Sequence, residues 1–205
     1  MRSIISFEGI HGAGKTTQAG LLESFLLDKG NEVKKIRSRD KPFSTYALKF
    51  LREIGPQPPE TLFYLAMANS FGIQRRLKEE EGIFILDRYI YTDIASTYLA
   101  GKDLNWIYGC LNPFIFPDRV ILLDTDPEKA LERKNKNTND LERGCLQQGF
   151  ETEGFIRYQQ RLREAYLKIA STDKRIVVID GGKSILDIHD QVCELAIRQK
   201  CGLII

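Results

Sequence analysis

The spacing of apolar residues along the chain predicts short buried strands that alternate with longer helices. Apolar runs of strand length occur five times, at residues 4–7, 33–37, 83–87, 119–124 and 175–180. Segments with apolar residues at helical spacing lie between and after these runs, at residues 16–29, 45–53, 60–80, 91–100, 103–111, 127–134, 153–171 and 184–199. Continuously apolar strands separated by helices are typical of a parallel sheet covered on both faces. The pattern therefore predicts an α/β fold.

One segment, residues 134–149, interrupts this alternation, because it is rich in Asn, Lys and Asp and has few apolar positions. We predict that it is a mobile surface loop. No linker, repeat or low-complexity tract divides the rest of the sequence, so residues 1–205 are expected to form a single domain.

The composition narrows the class of protein. With 42% apolar and 28% charged residues, the chain resembles globular proteins rather than disordered or collagen-like ones. Its 30 basic and 28 acidic residues nearly balance, so no general attraction to a nucleic acid polymer is expected. Any anion is expected to bind at a local site.

The cysteines and the N-terminal residues predict the compartment. No Cys-x-x-Cys pair occurs among Cys110, Cys145, Cys193 and Cys201, and reduced thiols are typical of cytoplasmic proteins. The first apolar run ends at Phe7, too early for a secretory signal, and no run approaches the ~20 apolar residues of a membrane helix. We therefore expect a cytoplasmic protein with no membrane partner.

Polar residues cluster where the predicted strands end. When right-handed crossovers join parallel strands, all the carboxyl ends lie at one edge of the sheet, which is where ligands bind. The residues at those ends are Glu8, Gly9, Arg37, Arg39, Asp87, Arg88, Asp124 and Asp180. A functional site is predicted at this edge.

A phosphate-binding loop follows the first predicted strand. The pattern G-x-x-x-x-G-K-[ST] is matched by Gly9, Ile10, His11, Gly12, Ala13, Gly14, Lys15 and Thr16, and a predicted helix follows. Glycines let successive N–H groups turn towards an anion, and the start of a helix adds a partial positive charge. Lys15 is expected to reach the β- and γ-phosphates of a nucleoside triphosphate, and the Thr16 hydroxyl to ligate Mg²⁺.

Two other classes of phosphate-loop protein are less consistent with the sequence. A guanine-nucleotide switch protein needs an Asn-Lys-x-Asp base reader after a strand, and residues 135–138 only partly match it. A motor ATPase needs a longer chain. The length favours a small phosphotransferase.

Asp87 and Arg88 place a carboxylate and a guanidinium together at a strand end. Asp87 is suited to holding Mg²⁺ through water or to orienting an acceptor, and Arg88 to bridging two phosphates. Asp124 also follows an apolar run. The composition of the two segments leaves open which aspartate is linked to the metal.

In combination, these motifs resemble the thymidylate kinase family of nucleoside monophosphate kinases over nearly the whole chain. The matching segments are residues 7–9 leading into 12–18, Asp87-Arg88-Tyr89, residues 123–133, residues 153–170 and residues 179–184. The resemblance implies a three-layer P-loop NTPase fold, with a five-stranded parallel sheet flanked by helices and a mobile lid at about residues 134–150. It also implies transfer of phosphate from MgATP to a nucleoside monophosphate, with dTMP to dTDP favoured, and a homodimer formed through the central helices.

The resemblance also assigns roles to individual residues. The expected catalytic residues are Lys15, Asp87, Arg88, Arg133 and Arg143. Donor binding is expected from Gly9, His11, Gly12, Ala13, Gly14, Lys15, Thr16, Thr17, Gly182 and Lys183, and the metal is expected at Thr16 and Asp87. Substrate binding is expected from Glu8, Arg37, Arg39, Tyr64, Arg88 and Tyr98, and the match leaves open whether Arg37 or Arg39 contacts the acceptor phosphate.

The sequence departs from the family pattern around the acceptor. His11 replaces an acidic residue of the phosphate loop, and residues 39–42 lack the bacterial Glu-Pro-Gly-Gly. A base-reading arginine is expected near Ala68, and an aromatic residue that excludes ribose near Ser96. Since pocket hydrogen bonds carry base discrimination, the base and sugar preference is left open.

Three alternatives therefore stand beside a dTMP kinase. One is a nucleoside monophosphate kinase of different or broader base specificity. Another is a deoxynucleoside kinase, in which Glu8 or Asp87 would activate a sugar hydroxyl, although two candidate arginines for an acceptor phosphate argue against it. The last is a non-catalytic ATP-binding module, which the retained Asp87 and Arg88 disfavour.

Overall fold

Five parallel strands form the centre of the protein. The computed structural model describes residues 2–37, 53–55, 57–138, 142–143 and 151–198. The strands are β1 (Arg2–Glu8), β2 (Val33–Arg37), β3 (Gly82–Asp87), β4 (Arg119–Asp124) and β5 (Ile176–Asp180). Their order across the sheet is β2-β3-β1-β4-β5, and every neighbouring pair is parallel. The predicted five-stranded parallel sheet is confirmed.

Seven helices with defined bounds connect and follow the strands. They are α1 (Lys15–Asp28), α2 (Pro59–Glu79), α3 (Ile90–Leu99), α4 (Leu104–Cys110), α5 (Pro127–Arg133), α6 (Glu151–Ala170) and α7 (Ile185–Arg198). Each lies within two residues of its predicted bounds. The predicted helix at residues 45–53 falls almost entirely outside the described residues, as does much of the predicted loop at 134–149.

The central strand β3 is apolar from Ile83 to Leu86 because both of its faces are covered. Successive strand residues point to opposite faces, and Phe84, Ile85 and Leu86 of β3 are all fully buried. Helices α1 and α7 pack against each other, and α3 packs against α2 and α6. The structure contains no described helix that combines the length and the apolar character needed to cross a membrane.

The register of the sheet brings the strand ends together. Phe7 of β1 and Arg37 of β2 both pair with Asp87 of β3, and Asp124 of β4 pairs with Asp180 of β5. Because all five strands point the same way, the residues that follow them meet at one edge. The candidate site is built there.

Candidate functional site

Two glycines allow the phosphate loop to pass close to the neighbouring backbone. Gly9 has φ +134° and Gly12 has φ +84°, in the region that L side chains rarely adopt. A Cβ on Gly9 would lie 2.6 Å from the Leu123 carbonyl oxygen, and one on Gly12 would lie 2.3 Å from that of Ala130. The loop therefore packs against β4 and α5 with no room for a side chain at either position.

The loop leads directly into α1, whose N-terminus suits an anion. Gly14, with φ +95°, precedes the helix, which has no side-chain cap and no acidic residue in its first turn. The Lys15 ammonium donates to the carbonyl oxygens of Gly9, at 3.0 Å, and Ile10, at 2.5 Å. The Lys15 side chain is 5% exposed, and these two hydrogen bonds keep its ammonium against the start of the phosphate loop.

A cavity of about 370 Å³ opens above this loop. The loop and α1 contribute His11, Gly12, Gly14, Lys15, Thr16 and Thr17 to its wall. The other elements contribute Arg37, Asp87, Arg88, Lys134 and Glu142. Four basic side chains thus face two carboxylates, which gives the cavity the positive balance that a polyphosphate requires.

Asp87 joins the phosphate loop to the opposite wall. Its Oδ2 accepts a hydrogen bond from the Thr16 hydroxyl at 2.6 Å and lies 4.0 Å from Nε of Arg37. Arg88, only 7% exposed, follows with φ +70°, a left-handed conformation that costs a non-glycine residue energy. The strained turn presents its guanidinium to the cavity.

Glu8 lies beneath this turn and does not border the cavity. It is fully buried, and its Oε1 accepts hydrogen bonds from the Ser6 hydroxyl and the Tyr89 N–H, both at 2.8 Å. Its Oε2 accepts from the Thr92 hydroxyl at 2.7 Å, and Thr92 in turn accepts from Arg88 Nη1 at 3.1 Å. Burial raises the pKa of the Glu8 carboxyl, although the bonds from Thr92 and Ser6 act against that rise.

A second carboxyl, that of Asp93 on α3, lies near Glu8. Burial, followed by the charge of Glu8, raises the pKa of Asp93 to about 7, and the nearby Arg88 opposes the shift. Asp93 therefore holds a proton at pH values where an exposed aspartate is ionised.

The other candidate aspartate, Asp124, is bound to a different partner. Arg163 on α6 makes a two-pronged ion pair with it, from Nε to Oδ1 at 2.5 Å and from Nη2 to Oδ2 at 2.9 Å. Asp124 is absent from the cavity wall, whereas Asp87 is in it. The structure thus separates two residues that the sequence pattern left equivalent.

His11 meets a carboxylate from the segment after α5. Its Nδ1 lies 3.1 Å from Oε1 of Glu142, and the Lys134 ammonium lies 3.1 Å from the same oxygen. Burial and the charges of Arg88 and Lys15 lower the pKa of His11. Burial acts to raise the pKa of Glu142, but the contacts with His11 and Lys134 outweigh it and lower that pKa. A neutral imidazole therefore donates to an ionised carboxylate.

Several predicted residues lie elsewhere. Arg133 donates to the Gly181 carbonyl at 2.8 Å, so it faces the loop after β5, and its neighbour Lys134 borders the cavity. Tyr64 is 55% exposed and packs beside Trp106. The other predicted residues outside the cavity wall are Gly9, Ala13, Tyr98, Arg143, Gly182 and Lys183. Arg39 lies outside the described residues.

Lys134 and Glu142 are the cavity residues that sequence reasoning missed. The helix pattern of residues 127–134 predicts that both Arg133 and Lys134 lie at the end of the helix. It does not predict which of the two side chains faces the cavity. Nothing in the local sequence marks Glu142.

The oxygen donors at Asp87 and Thr16 fit a magnesium ion. Mg²⁺ prefers hard oxygen ligands and is commonly held by one or two protein groups together with substrate phosphates. Among the described residues, no group of three or more His, Cys, Asp or Glu side chains is arranged to hold a metal without such help. A carboxylate and a hydroxyl beside a phosphate loop are a donor set of the expected kind.

Comparison with known proteins assigns the chain to a family. The sequence model described as thymidylate kinase matches residues 7–192. A probable thymidylate kinase from Sulfolobus acidocaldarius is 36% identical over 190 residues, with 92% of this chain and 93% of that protein covered. A thymidylate kinase from Geotalea daltonii is 32% identical over 198 residues, with 90% and 92% covered.

A solved structure shows the same architecture. The thymidylate kinase of Candida albicans superposes with a TM-score of 0.72 at 25% identity, covering 97% of this chain and 92% of that one. The sequence match, the fold and the phosphate loop agree, and the chain belongs to the thymidylate kinase family of ATP-dependent nucleotide kinases.

Proposed function

We propose that this protein transfers the γ-phosphate of ATP to dTMP and so forms dTDP. One observation carries the proposal beyond nucleotide binding. Arg37 and Arg88 border the cavity on the side opposite the phosphate loop, where Asp87 joins the two walls. Two guanidiniums line the cavity in addition to Lys15, and the planar guanidinium suits paired contacts with phosphate oxygens, which supports an acceptor that carries its own phosphate.

Transfer needs no protein nucleophile. The bond between the γ-phosphorus and the β–γ bridging oxygen of ATP breaks, while a bond forms from an acceptor phosphate oxygen. Lys15, Arg88 and the loop N–H groups stabilise the charge on the equatorial oxygens. Thr17 would add a donor contact, since it borders the cavity. Gly182 and Lys183 lie outside the cavity wall, and their proposed contact with the adenine comes from the family resemblance.

Magnesium belongs to the same proposal. Asp87 and Thr16 would hold the ion, which supplies charge neutralisation to the donor phosphates. The remaining role assignments, at Arg39, Tyr64, Tyr98, Arg133 and Arg143, rest on the family resemblance alone.

Glu8 is proposed to position Arg88 rather than to touch substrate. Glu8 accepts hydrogen bonds from the Tyr89 N–H and the Thr92 hydroxyl, and Thr92 accepts one from the Arg88 guanidinium. Several buried hydrogen bonds therefore stabilise the strained turn. This arrangement keeps Arg88 in place before substrate arrives, which is what electrostatic catalysis requires.

A second candidate function is the same reaction with a broader range of acceptor bases. Ala68 provides no side-chain hydrogen bond at the place of the expected arginine, and the Ser96 hydroxyl donates to the Asp93 carbonyl at 3.2 Å. The Candida albicans relative is described as an enzyme of broad substrate specificity.

We further propose a cytoplasmic homodimer that binds no nucleic acid polymer. Phe71 on α2 is 50% exposed, and an exposed aromatic side chain on a central helix suits an interface. Cys110 and Cys193 are not in disulfides, which suits a reducing compartment, and the net charge is only +2.

The acceptor is tested by ADP release from MgATP with dTMP, dUMP, UMP, CMP, dGMP, AMP and thymidine. We expect turnover with dTMP and none with thymidine, because Arg37 and Arg88 need a phosphate partner. Lys15→Met should lower every rate at least about a hundredfold. Arg37→Met should raise the KM for dTMP with the KM for ATP unchanged. Thymidine outpacing dTMP would overturn the acceptor assignment, and similar rates with several monophosphates would select the broader candidate.

The metal site is tested by comparing Asp87→Asn with Asp124→Asn in a magnesium titration of the rate. Asp87→Asn should raise the Mg²⁺ concentration for half-maximal rate by about tenfold. Asp124→Asn should lower the unfolding temperature, because it breaks the ion pair with Arg163, without changing the Mg²⁺ dependence. The reverse pattern would assign the metal to Asp124.

The proton on Asp93 predicts a pH-dependent stability. Between pH 3.8, where an unperturbed Asp93 would ionise, and about pH 7, the folded protein binds a proton that the unfolded chain has released. The free energy of unfolding therefore falls as the pH rises through this window, by up to about 1.4 kcal/mol per pH unit. Asp93→Asn should remove that part of the slope in urea unfolding at pH 5, 6, 7 and 8. Parallel curves for both proteins would contradict the assignment.

The dimer is tested by sedimentation velocity of Phe71→Ser beside Leu27→Ser. Phe71 is 50% exposed on α2, and Leu27 is 51% exposed on α1, so both changes spare the core. We expect a concentration-dependent shift to monomer for Phe71→Ser alone. A wild-type protein that sediments as a monomer at every concentration would disprove the dimer.

A further inference from the structure

A buried glutamine on α6, Gln159, contacts the phosphate loop and the segment after α5 at the same time. Its side chain is fully buried. Its Oε1 accepts a hydrogen bond from the His11 N–H at 3.0 Å, and its Nε2 donates to the Glu142 carbonyl at 2.6 Å. No motif in the sequence of α6 singles out this residue.

Chemistry fixes the orientation of this carboxamide. The His11 N–H needs an acceptor and the Glu142 carbonyl needs a donor. A flipped amide would place the NH₂ group against the N–H and the amide oxygen against the carbonyl, and both hydrogen bonds would be lost. Burying a polar side chain is costly unless its groups are hydrogen-bonded. Both polar groups of the Gln159 carboxamide are hydrogen-bonded only while the His11 N–H and the carbonyl of residue 142 keep their positions. The carboxamide and these two backbone groups therefore stabilise one another's positions.

The side chain of Glu142 continues the connection. Its carboxylate receives His11 Nδ1 and Lys134 Nζ, both at 3.1 Å, and it is almost completely enclosed. His11, Lys134 and Glu142 all border the phosphate cavity. Gln159 itself stands behind that wall and does not border the cavity. It contacts the backbone of residue 142, whose carboxylate pairs with Lys134, and it accepts from the backbone N–H of His11 in the phosphate loop.

We propose that Gln159 is a positioning residue for the donor phosphates: it sets the phosphate loop and Lys134 in their binding geometry before ATP enters. The inference rests on the proposed phosphotransfer, but its first consequence is for ATP binding and does not need turnover. Without Gln159, the loop and Lys134 must be ordered by ATP itself, which weakens ATP binding. Arg37, the proposed partner of the acceptor phosphate, lies at the end of β2 and has no contact with Gln159, so binding of the acceptor should not change.

The test compares Gln159→Met with Gln160→Met. Both changes replace an amide by an unbranched apolar side chain on α6, but Gln160 faces outwards and pairs with Glu164 at 2.9 Å. Gln159→Met should weaken ATP binding, measured by calorimetry, by about tenfold. In steady-state kinetics its KM for ATP should rise by a similar factor, with the KM for dTMP unchanged. Amide exchange of the peptide covering residues 9–16 should accelerate.

Two further variants separate the connections. Glu142→Ala keeps the carbonyl that Gln159 uses but removes the carboxylate that His11 and Lys134 contact, so amide exchange at residues 9–16 should accelerate less than in Gln159→Met. Gln159→Asn keeps a polar side chain but is too short to reach both partners, and it serves if the methionine variant does not fold. Its effects should match those predicted for Gln159→Met.

A merely structural role would give a different result. Gln159→Met or Gln159→Asn would then lower the unfolding temperature while the folded protein kept wild-type ATP affinity and loop exchange, and the proposal would be wrong. An equal loss of ATP affinity in Gln160→Met would also overturn it. If the wild-type protein turned over no acceptor, the proposed function would fail, but the binding and exchange measurements would still decide the role of Gln159.

Discussion

The site depends on the close approach of the phosphate loop to the backbone of β4 and α5. Gly9 and Gly12 leave so little space that an added Cβ would overlap the carbonyl oxygens of Leu123 and Ala130. This packing turns the loop so that α1 begins beneath the cavity, with Lys15 across its mouth and Thr16 against Asp87. The contacts of Asp87 with Thr16 and of Glu142 with His11 are made with a loop whose path the glycines permit.

The wall of the cavity that faces the phosphate loop depends on an electrostatic interaction, which stabilises the turn at Arg88. Arg88 occupies a left-handed conformation that an arginine adopts only when its surroundings hold it there. The buried Glu8 supplies that hold through Tyr89 and Thr92. A buried carboxylate and a strained arginine are each costly, and together they place one guanidinium where phosphates meet.

Elements that depend on local pattern could be predicted from the sequence, and contacts between distant segments could not. The strands and helices follow from apolar spacing, and the loop at residues 9–16 follows from a motif whose glycines and lysine have a direct mechanical reason. The choice between Arg133 and Lys134 depends on about 100° of rotation at the end of α5, which the pattern does not resolve. Glu142 and Gln159 meet His11 only through tertiary packing, across more than a hundred residues of sequence.

The same kind of distant contact surrounds His11, a position at which the family resemblance predicts an acidic residue. An imidazole at position 11 would add a further positive charge to a cavity that already holds Lys15 and Arg88, and those charges, with burial, lower its pKa. As a neutral group it donates from Nδ1 to Glu142, and its backbone N–H is taken by Gln159. The imidazole is therefore accommodated by two partners from outside the loop, one a carboxylate and one an amide. A change in the phosphate loop and the residues that support it have to be considered as one unit, because each satisfies a polar group that would otherwise be buried without a partner.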